Sequence, residues 1–121
     1  MVQDLKTRTK KFAIDCGRLC RNFPHSREYN AYVNQLIRSS SSVGANYRAS
    51  QRGKSTADFI NKLKIVEEEA DESHFFHEIL LDLYDIDDVN VKDEMKRLCK
   101  EANELVAIIV ASINTAKNKL K

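Results

Sequence analysis

The sequence has few of the residues that build turns, and this shortage restricts the fold. Among 121 residues there are three glycines, one proline and no tryptophan, while 31% of the residues are charged. A fold made of many strands and tight turns needs more glycine and proline, whereas a highly charged composition suits long amphipathic helices. The composition therefore predicts an all-α protein, and the length predicts a single domain spanning residues 1–121.

Long apolar runs are also absent from the sequence. No stretch is long enough to cross a bilayer, and the first eleven residues lack the apolar core of a signal peptide. Cys16, Cys20 and Cys99 lie within apolar helical stripes, where a free thiol behaves as a small hydrophobic group. We therefore expect a cytoplasmic protein with no membrane partner and no disulfide bonds.

Charge is distributed unevenly along the chain, although the net charge is only +2. Residues 1–64 contain 13 Lys or Arg and four Asp or Glu, whereas residues 65–121 contain seven and 14. Such an asymmetry indicates either a basic face that binds a polyanion or complementary charges that meet within or between subunits.

Four segments have the apolar spacing of amphipathic helices. The first ends at Pro24, the second begins after Ser26, and residues 52–54 form the next turn. Ser55 opens the third segment, and Asn90 is the predicted N-cap of the fourth. Because the connections are short, successive helices should be antiparallel neighbours. The sequence therefore predicts an up-and-down antiparallel four-helix bundle.

The middle of the second segment is unusually rich in small residues, namely residues 39–42, Gly44 and Ala45. Serine and glycine weaken a helix, so their presence indicates either the close approach of another backbone or a locally frayed helix.

Basic residues on the first segment form a stripe opposite its apolar side. At 100° per residue they share the face that points away from the predicted core. The stripe consists of Lys6, Lys10, Lys11, Arg18 and Arg21. It is the candidate surface for binding nucleic acid.

The third segment carries more apolar residues than one stripe can hold. Its main seam starts at Phe59 and runs to Tyr84, and a second apolar group lies far around the helix. This group comprises Phe75, Phe76, Ile79 and Leu83. It predicts a subunit interface; the competing explanation is a protomer core wide enough to enclose both stripes.

Arg38 is the charge whose position is most informative. When the second and third segments fold back across the turn near Gly53, Arg38 lies level with Glu69, and Glu72 is one turn further on. We expect a semi-buried ion pair that fixes the register of the two helices, the alternative being a solvated arginine.

His74 and His77 lie three residues apart beside Asp71 and Glu78, a spacing also found in the di-iron sites of helical bundles. Such a site needs inward carboxylates from the other helices, and the predicted seams of the first two supply none. The histidines are therefore interpreted as core or interface residues. The sequence contains no glycine-rich phosphate loop or nucleophile motif, so it predicts no metal, no cofactor and no enzymatic activity.

A family resemblance extends over nearly the whole chain. It is carried by Phe23-Pro24, Gln35-Leu36, Arg38, Ser42-Val43, Asn46, Ser55-x-x-Asp58-Phe59 and Glu72. These residues resemble the four-helix-bundle family named for proteins encoded in 23S ribosomal RNA intervening sequences. That family in turn resembles the accessory variability protein of diversity-generating retroelements, a basic pentameric bundle that contacts nucleic acid and a reverse transcriptase. The resemblance implies a homo-oligomer, with a pentamer as the expected form, and a reverse transcriptase as a candidate partner.

Two functions are compatible with these features. The first is a non-enzymatic nucleic-acid or ribonucleoprotein accessory factor, whose oligomer multiplies the basic stripe into an extended surface for RNA or DNA phosphates. The second is a structural or scaffolding oligomer that binds another protein and has no nucleic-acid role. The acidic run at residues 67–72 is relevant to the choice, because carboxylates repel phosphate.

Overall fold

Four α-helices account for most of the residues that the structure describes. The structure is a computed structural model that describes residues 4–120, so the first three residues and the last residue of the predicted domain lie outside it. The helices are α1 (Leu5–Cys20), α2 (Arg27–Ser50), α3 (Thr56–Leu83) and α4 (Val89–Asn118). The described residues contain no strand, as the scarcity of turn residues predicted.

Polar side chains cap the N-termini of the helices. Ser26 Oγ accepts a hydrogen bond from Tyr29 N at 3.1 Å, and Ser55 Oγ accepts one from Asp58 N at 3.1 Å. Both caps lie where the sequence predicted them. The predicted cap of the fourth helix is wrong, because Asp88 rather than Asn90 accepts the first free amide, and α4 begins at Val89. The polar run before α4 offers several capping side chains, and the earliest one that fits allows the longer helix.

Each helix lies beside two others, and the helix diagonally opposite is reached only by side chains that meet in the core, as Cys16 of α1 meets His77 of α3. The contacting pairs are α1 with α2, α2 with α3, α3 with α4, and α1 with α4. Neighbours run antiparallel: Tyr29 Oη donates to Leu83 O at 3.4 Å, and further along α2 Ser39 Oγ accepts from Ser73 Oγ at 2.9 Å. The helices therefore form the predicted four-helix bundle.

The buried core largely follows the predicted seams, but Leu5, Val33 and Tyr47 are only partly buried, and α3 and α4 each bury a residue next to the expected one. Ile60 is buried in α3 whereas Phe59 is only half-buried, and Ile113 rather than Ser112 lies in the core of α4. Phe59 lines an apolar groove of about 590 Å³ together with Ile108 and other residues near the end of α4. Arg8 near the start of α1 lies level with Glu101 and Glu104, whereas α4 continues to Asn118, so within residues 4–120 α1 does not extend over this part of α3.

The small residues of α2 mark a close approach between α1 and α2, not a frayed segment. Ser39, Ser40 and Gly44 are buried within a continuous helix. A Cβ atom added at Gly44 would lie 3.5 Å from Thr9 Oγ1 and 3.6 Å from the Thr9 backbone. A larger side chain would therefore separate the two helices.

Among residues 4–120, no helix combines the length and apolarity needed to span a membrane.

Candidate nucleic-acid interface

The solvent-facing side of α1 carries the predicted basic stripe. Lys6, Lys10, Lys11, Arg18 and Arg21 are all exposed. The opposite side of the helix is buried, through Thr9, Phe12, Cys16 and Leu19. The 3.6-residue period thus places the core residues and the cations on different faces of one helix.

Lys11 differs from the other four cations because it has an acidic partner. Lys11 Nζ lies 2.5 Å from Asp15 Oδ2, and Arg97 Nη2 of α4 lies 2.9 Å from the same oxygen. Burial raises the pKa of Asp15, but the hydrogen bonds from Lys11 and Arg97 outweigh it and lower the pKa overall. Lys11 therefore belongs to the polar contact between α1 and α4, and Asp15 balances part of its charge.

The remaining cations have no such partner in the described chain. Lys6, Lys10, Arg18 and Arg21 take part in none of the ion pairs found among residues 4–120. Their charges are therefore free to attract an anion from solution.

A groove between α1 and α2 adds a cation that the sequence analysis missed. Arg48 of α2 faces Lys6 and Lys10 across this groove, which has a volume of about 220 Å³. The floor is made of small residues, Ala13, Ser41, Gly44 and Ala45. The spacing of residues 41, 44, 45 and 48 places them on one face of α2. That pattern, combined with an antiparallel α1, could have identified Arg48.

Three other arginines, Arg8, Arg38 and Arg97, pair with carboxylates of the described chain. Arg8 Nε and Nη2 each donate a 2.7 Å hydrogen bond to Glu101 of α4, and Nη2 also lies 3.0 Å from Glu104. The hydrogen bonds from Arg8 lower the pKa of Glu101. The acidic second half of the chain thus neutralises part of the basic first half.

Arg38 lies beside both carboxylates that the sequence placed near it. Its Nη1 lies 3.1 Å from Glu69 Oε2, and its Nη2 contacts Glu72. The site is more exposed than the semi-buried pair we expected, because 48% of the arginine side chain is accessible. The guanidinium group lies on the outer rim of the contact between α2 and α3, where water reaches it.

The second apolar group of α3 is divided between surface and core. Phe75 is 55% exposed, whereas Phe76 and Leu83 are half-buried and pack against the core. Ile79 is also half-buried. The ring of Phe76 lies 5.5 Å from that of Phe75 and 6.3 Å from that of Tyr32. Tyr32, Phe75 and Phe76 thus form an aromatic patch on the outer side of α2 and α3.

Cys16 and His77 meet in the core as two uncharged side chains. Cys16 Sγ lies 3.3 Å from His77 Nε2, and both side chains are buried. Burial raises the pKa of Cys16 and lowers that of His77 to about 4, so both groups are neutral at pH 7. His74 instead lies 3.4 Å from Glu78. Within residues 4–120, no three His, Cys, Asp or Glu side chains are arranged to hold a metal ion.

Comparison with known proteins places the chain in a family. No curated protein matches it significantly. A solved structure from Bacteroides thetaiotaomicron, described as a protein of unknown function from the S23 ribosomal protein family, is 26% identical and covers 91% of this chain and 98% of its own. The two superpose with a TM-score of 0.78. The family model described as 23S rRNA-intervening sequence protein matches residues 3–111. The chain therefore belongs to the 23S rRNA-intervening sequence protein family.

Proposed function

We propose that the protein is a non-enzymatic nucleic-acid or ribonucleoprotein accessory factor that binds phosphate backbones through the exposed side of α1. One observation carries the proposal: Lys6, Lys10, Arg18 and Arg21 share that side and form no ion pair in the described chain. Elsewhere in the described chain, Arg8, Arg38 and Arg97 are paired with carboxylates. Unpaired cations on one face are the electrostatic pattern of a polyanion-binding surface.

The proposed contact is to phosphate and not to bases. The exposed side of α1 carries no aromatic residue, since its only aromatic side chain, Phe12, is buried. Proteins that read single-stranded bases stack them on exposed aromatic rings. Binding is therefore expected to be independent of sequence, and both RNA and DNA are candidate ligands.

Assembly into a cytoplasmic homo-oligomer, expected to be a pentamer, is part of the same proposal. Several copies of α1 in one particle would multiply weak phosphate contacts into strong binding. A reverse transcriptase is a candidate partner protein through the resemblance stated above.

The test is a double charge reversal, Lys10→Glu with Arg21→Glu. Fluorescence anisotropy with labelled RNA and DNA across a salt series should show affinity lowered at least about tenfold for every sequence. The dependence of affinity on salt should also become shallower, because fewer counterions are released. The matched control is Lys96→Glu with Lys100→Glu, which changes the net charge equally on the exposed side of α4. Equal affinities for the wild type and the α1 variant would reject this surface.

The alternative is a scaffolding oligomer that binds another protein. The ion pairs of Arg8 with Glu101 and of Arg38 with Glu69 favour this alternative. In these pairs, basic residues of the first half of the chain are neutralised by acidic residues of the second half and not by a nucleic acid. On this alternative the wild type binds no nucleic acid even at low salt.

A further inference from the structure

We propose that the groove between α1 and α2 is a pocket for a single backbone phosphate, held by Lys6, Lys10 and Arg48. The inference rests on the proposed function and deepens it. It replaces a diffuse positive surface with one defined anion site, and it makes α2 part of the nucleic-acid interface.

Three cations surround this groove without an acidic neighbour in its lining. Lys6 and Lys10 are one helical turn apart on α1, and Arg48 faces them from α2. None of the groove-lining residues is Asp or Glu. The carboxylate that lies nearest along α1 is that of Asp4, which accepts hydrogen bonds from Thr7 N at 2.9 Å and Thr7 Oγ1 at 3.0 Å. Mutual repulsion among the three cations is relieved when an anion enters between them.

The shape of the groove suits a phosphate better than a base. Ala13, Gly44 and Ala45 keep the floor low, which leaves room for an anion between the side chains of Lys6, Lys10 and Arg48. Ser41 adds a hydroxyl donor. No aromatic side chain lines the groove, so a base would gain no stacking partner there.

Arg18 and Arg21 extend the path of a bound strand. Lys10 and Arg21 are separated by about 16 Å along α1, at 1.5 Å per residue. A strand anchored in the groove and directed along α1 would therefore reach the two arginines with a later phosphate. The groove fixes the position of the strand, and the arginines add affinity.

The test separates the shape of the groove from its charge. Ala45→Gln fills the groove without changing any charge, and Ala31→Gln makes the same change at an exposed position of α2 outside the groove. Arg48→Ala removes one cation, and Arg52→Ala removes one from the neighbouring turn. Each protein is titrated into labelled single-stranded RNA and DNA at several salt concentrations, and circular dichroism verifies its helix content.

We expect Ala45→Gln and Arg48→Ala to lower affinity about fivefold or more, and Arg48→Ala to reduce the salt slope by about one. The two controls should bind as the wild type does. If both groove variants are folded and bind normally while the reversal of Lys10 and Arg21 abolishes binding, the groove is rejected and the α1 surface stands. If the wild type binds no probe, both proposals are rejected. If Ala45→Gln loses helix content, Arg48→Ala and Arg52→Ala decide the question.

Discussion

The contact between Cys16 and His77 places two titratable groups in the buried core of the bundle. His77 also lies against Phe12, with ring centroids 6.1 Å apart. Burial lowers the pKa of His77 to about 4, and the neighbouring His74 acts in the same direction. A histidine in the unfolded chain titrates near pH 6.5. Between these two pH values His77 is protonated in the unfolded chain but remains neutral in the folded protein.

This difference predicts that the protein loses stability on mild acidification. Because the unfolded state binds more protons, the free energy of unfolding should fall by about 2 kcal/mol between pH 7 and pH 5. Asp15 and Glu101 have lowered pKa values, so they stay ionised in this pH range. Their stabilising contribution to the folded state is lost only at still lower pH, where they become protonated. Urea unfolding at both pH values measures the loss, and His77→Leu should remove most of it. An equal loss in the variant would mean that other groups cause the effect.

Arg8 and Arg38 provide a matched pair of interhelical ion pairs that differ in exposure. Arg8 and Glu101 are 23% and 19% exposed, whereas Arg38 is 48% exposed. Arg8→Ala should therefore lower the free energy of unfolding by about 2 kcal/mol, and Arg38→Ala by about 1 kcal/mol or less. Urea unfolding at one pH compares the two. A larger loss for Arg38→Ala would show that its pair with Glu69 and Glu72 is the better desolvated of the two.

The two helical glycines of α1 and α2 have opposite surroundings. A Cβ atom at Gly17 would meet nothing within 4 Å, whereas one at Gly44 would touch Thr9. Gly17→Ala should therefore stabilise the protein by about 0.5–1 kcal/mol through helix propensity. Gly44→Leu should destabilise it by about 1–3 kcal/mol, because the side chain forces α1 and α2 apart. Thermal unfolding of the two variants measures both effects. Destabilisation by Gly17→Ala would contradict the open surroundings of that glycine.

The helices themselves could be predicted from the sequence, because their causes are local. Ser26 and Ser55 cap helices where the apolar period begins, and Pro24 follows the end of α1. The burial of Ile60 in the core, where Phe59 was expected, could not be predicted. It depends on where α1 stops covering α3, and that is set by how far the helices extend past one another.

The candidate site was only partly predictable, for the same reason. The exposed cations of α1 follow from the period of one helix. Arg48 joins them only because Thr9 packs against Gly44 and fixes how α2 lies along α1. Lys11 likewise pairs with Asp15, whose carboxylate is held in place by Arg97 of another helix. Contacts between helices thus select which charges of the stripe remain available.

The aromatic patch predicts how copies of the whole molecule associate. Burying one large apolar side chain contributes about 1.5–3 kcal/mol, so Phe75 and its neighbours can drive association once its entropic cost is met. We expect an oligomeric wild type and a folded, smaller Phe75→Glu variant, measured by light scattering after size-exclusion chromatography. Val89→Glu is the control, because Val89 is 65% exposed but outside the patch. A monomeric wild type or an unfolded Phe75→Glu variant would contradict the patch as the interface.

The helix that carries the basic residues is also the shortest of the four, with 16 residues against 24, 28 and 30. Part of its attachment to α4 consists of ion pairs and not of apolar packing. Amide hydrogens of α1 should therefore exchange with solvent through local opening while α2, α3 and α4 remain closed. A ligand that binds only the closed form slows this opening. Phosphate binding would then appear as slower hydrogen exchange in α1 and would order the surface that it occupies.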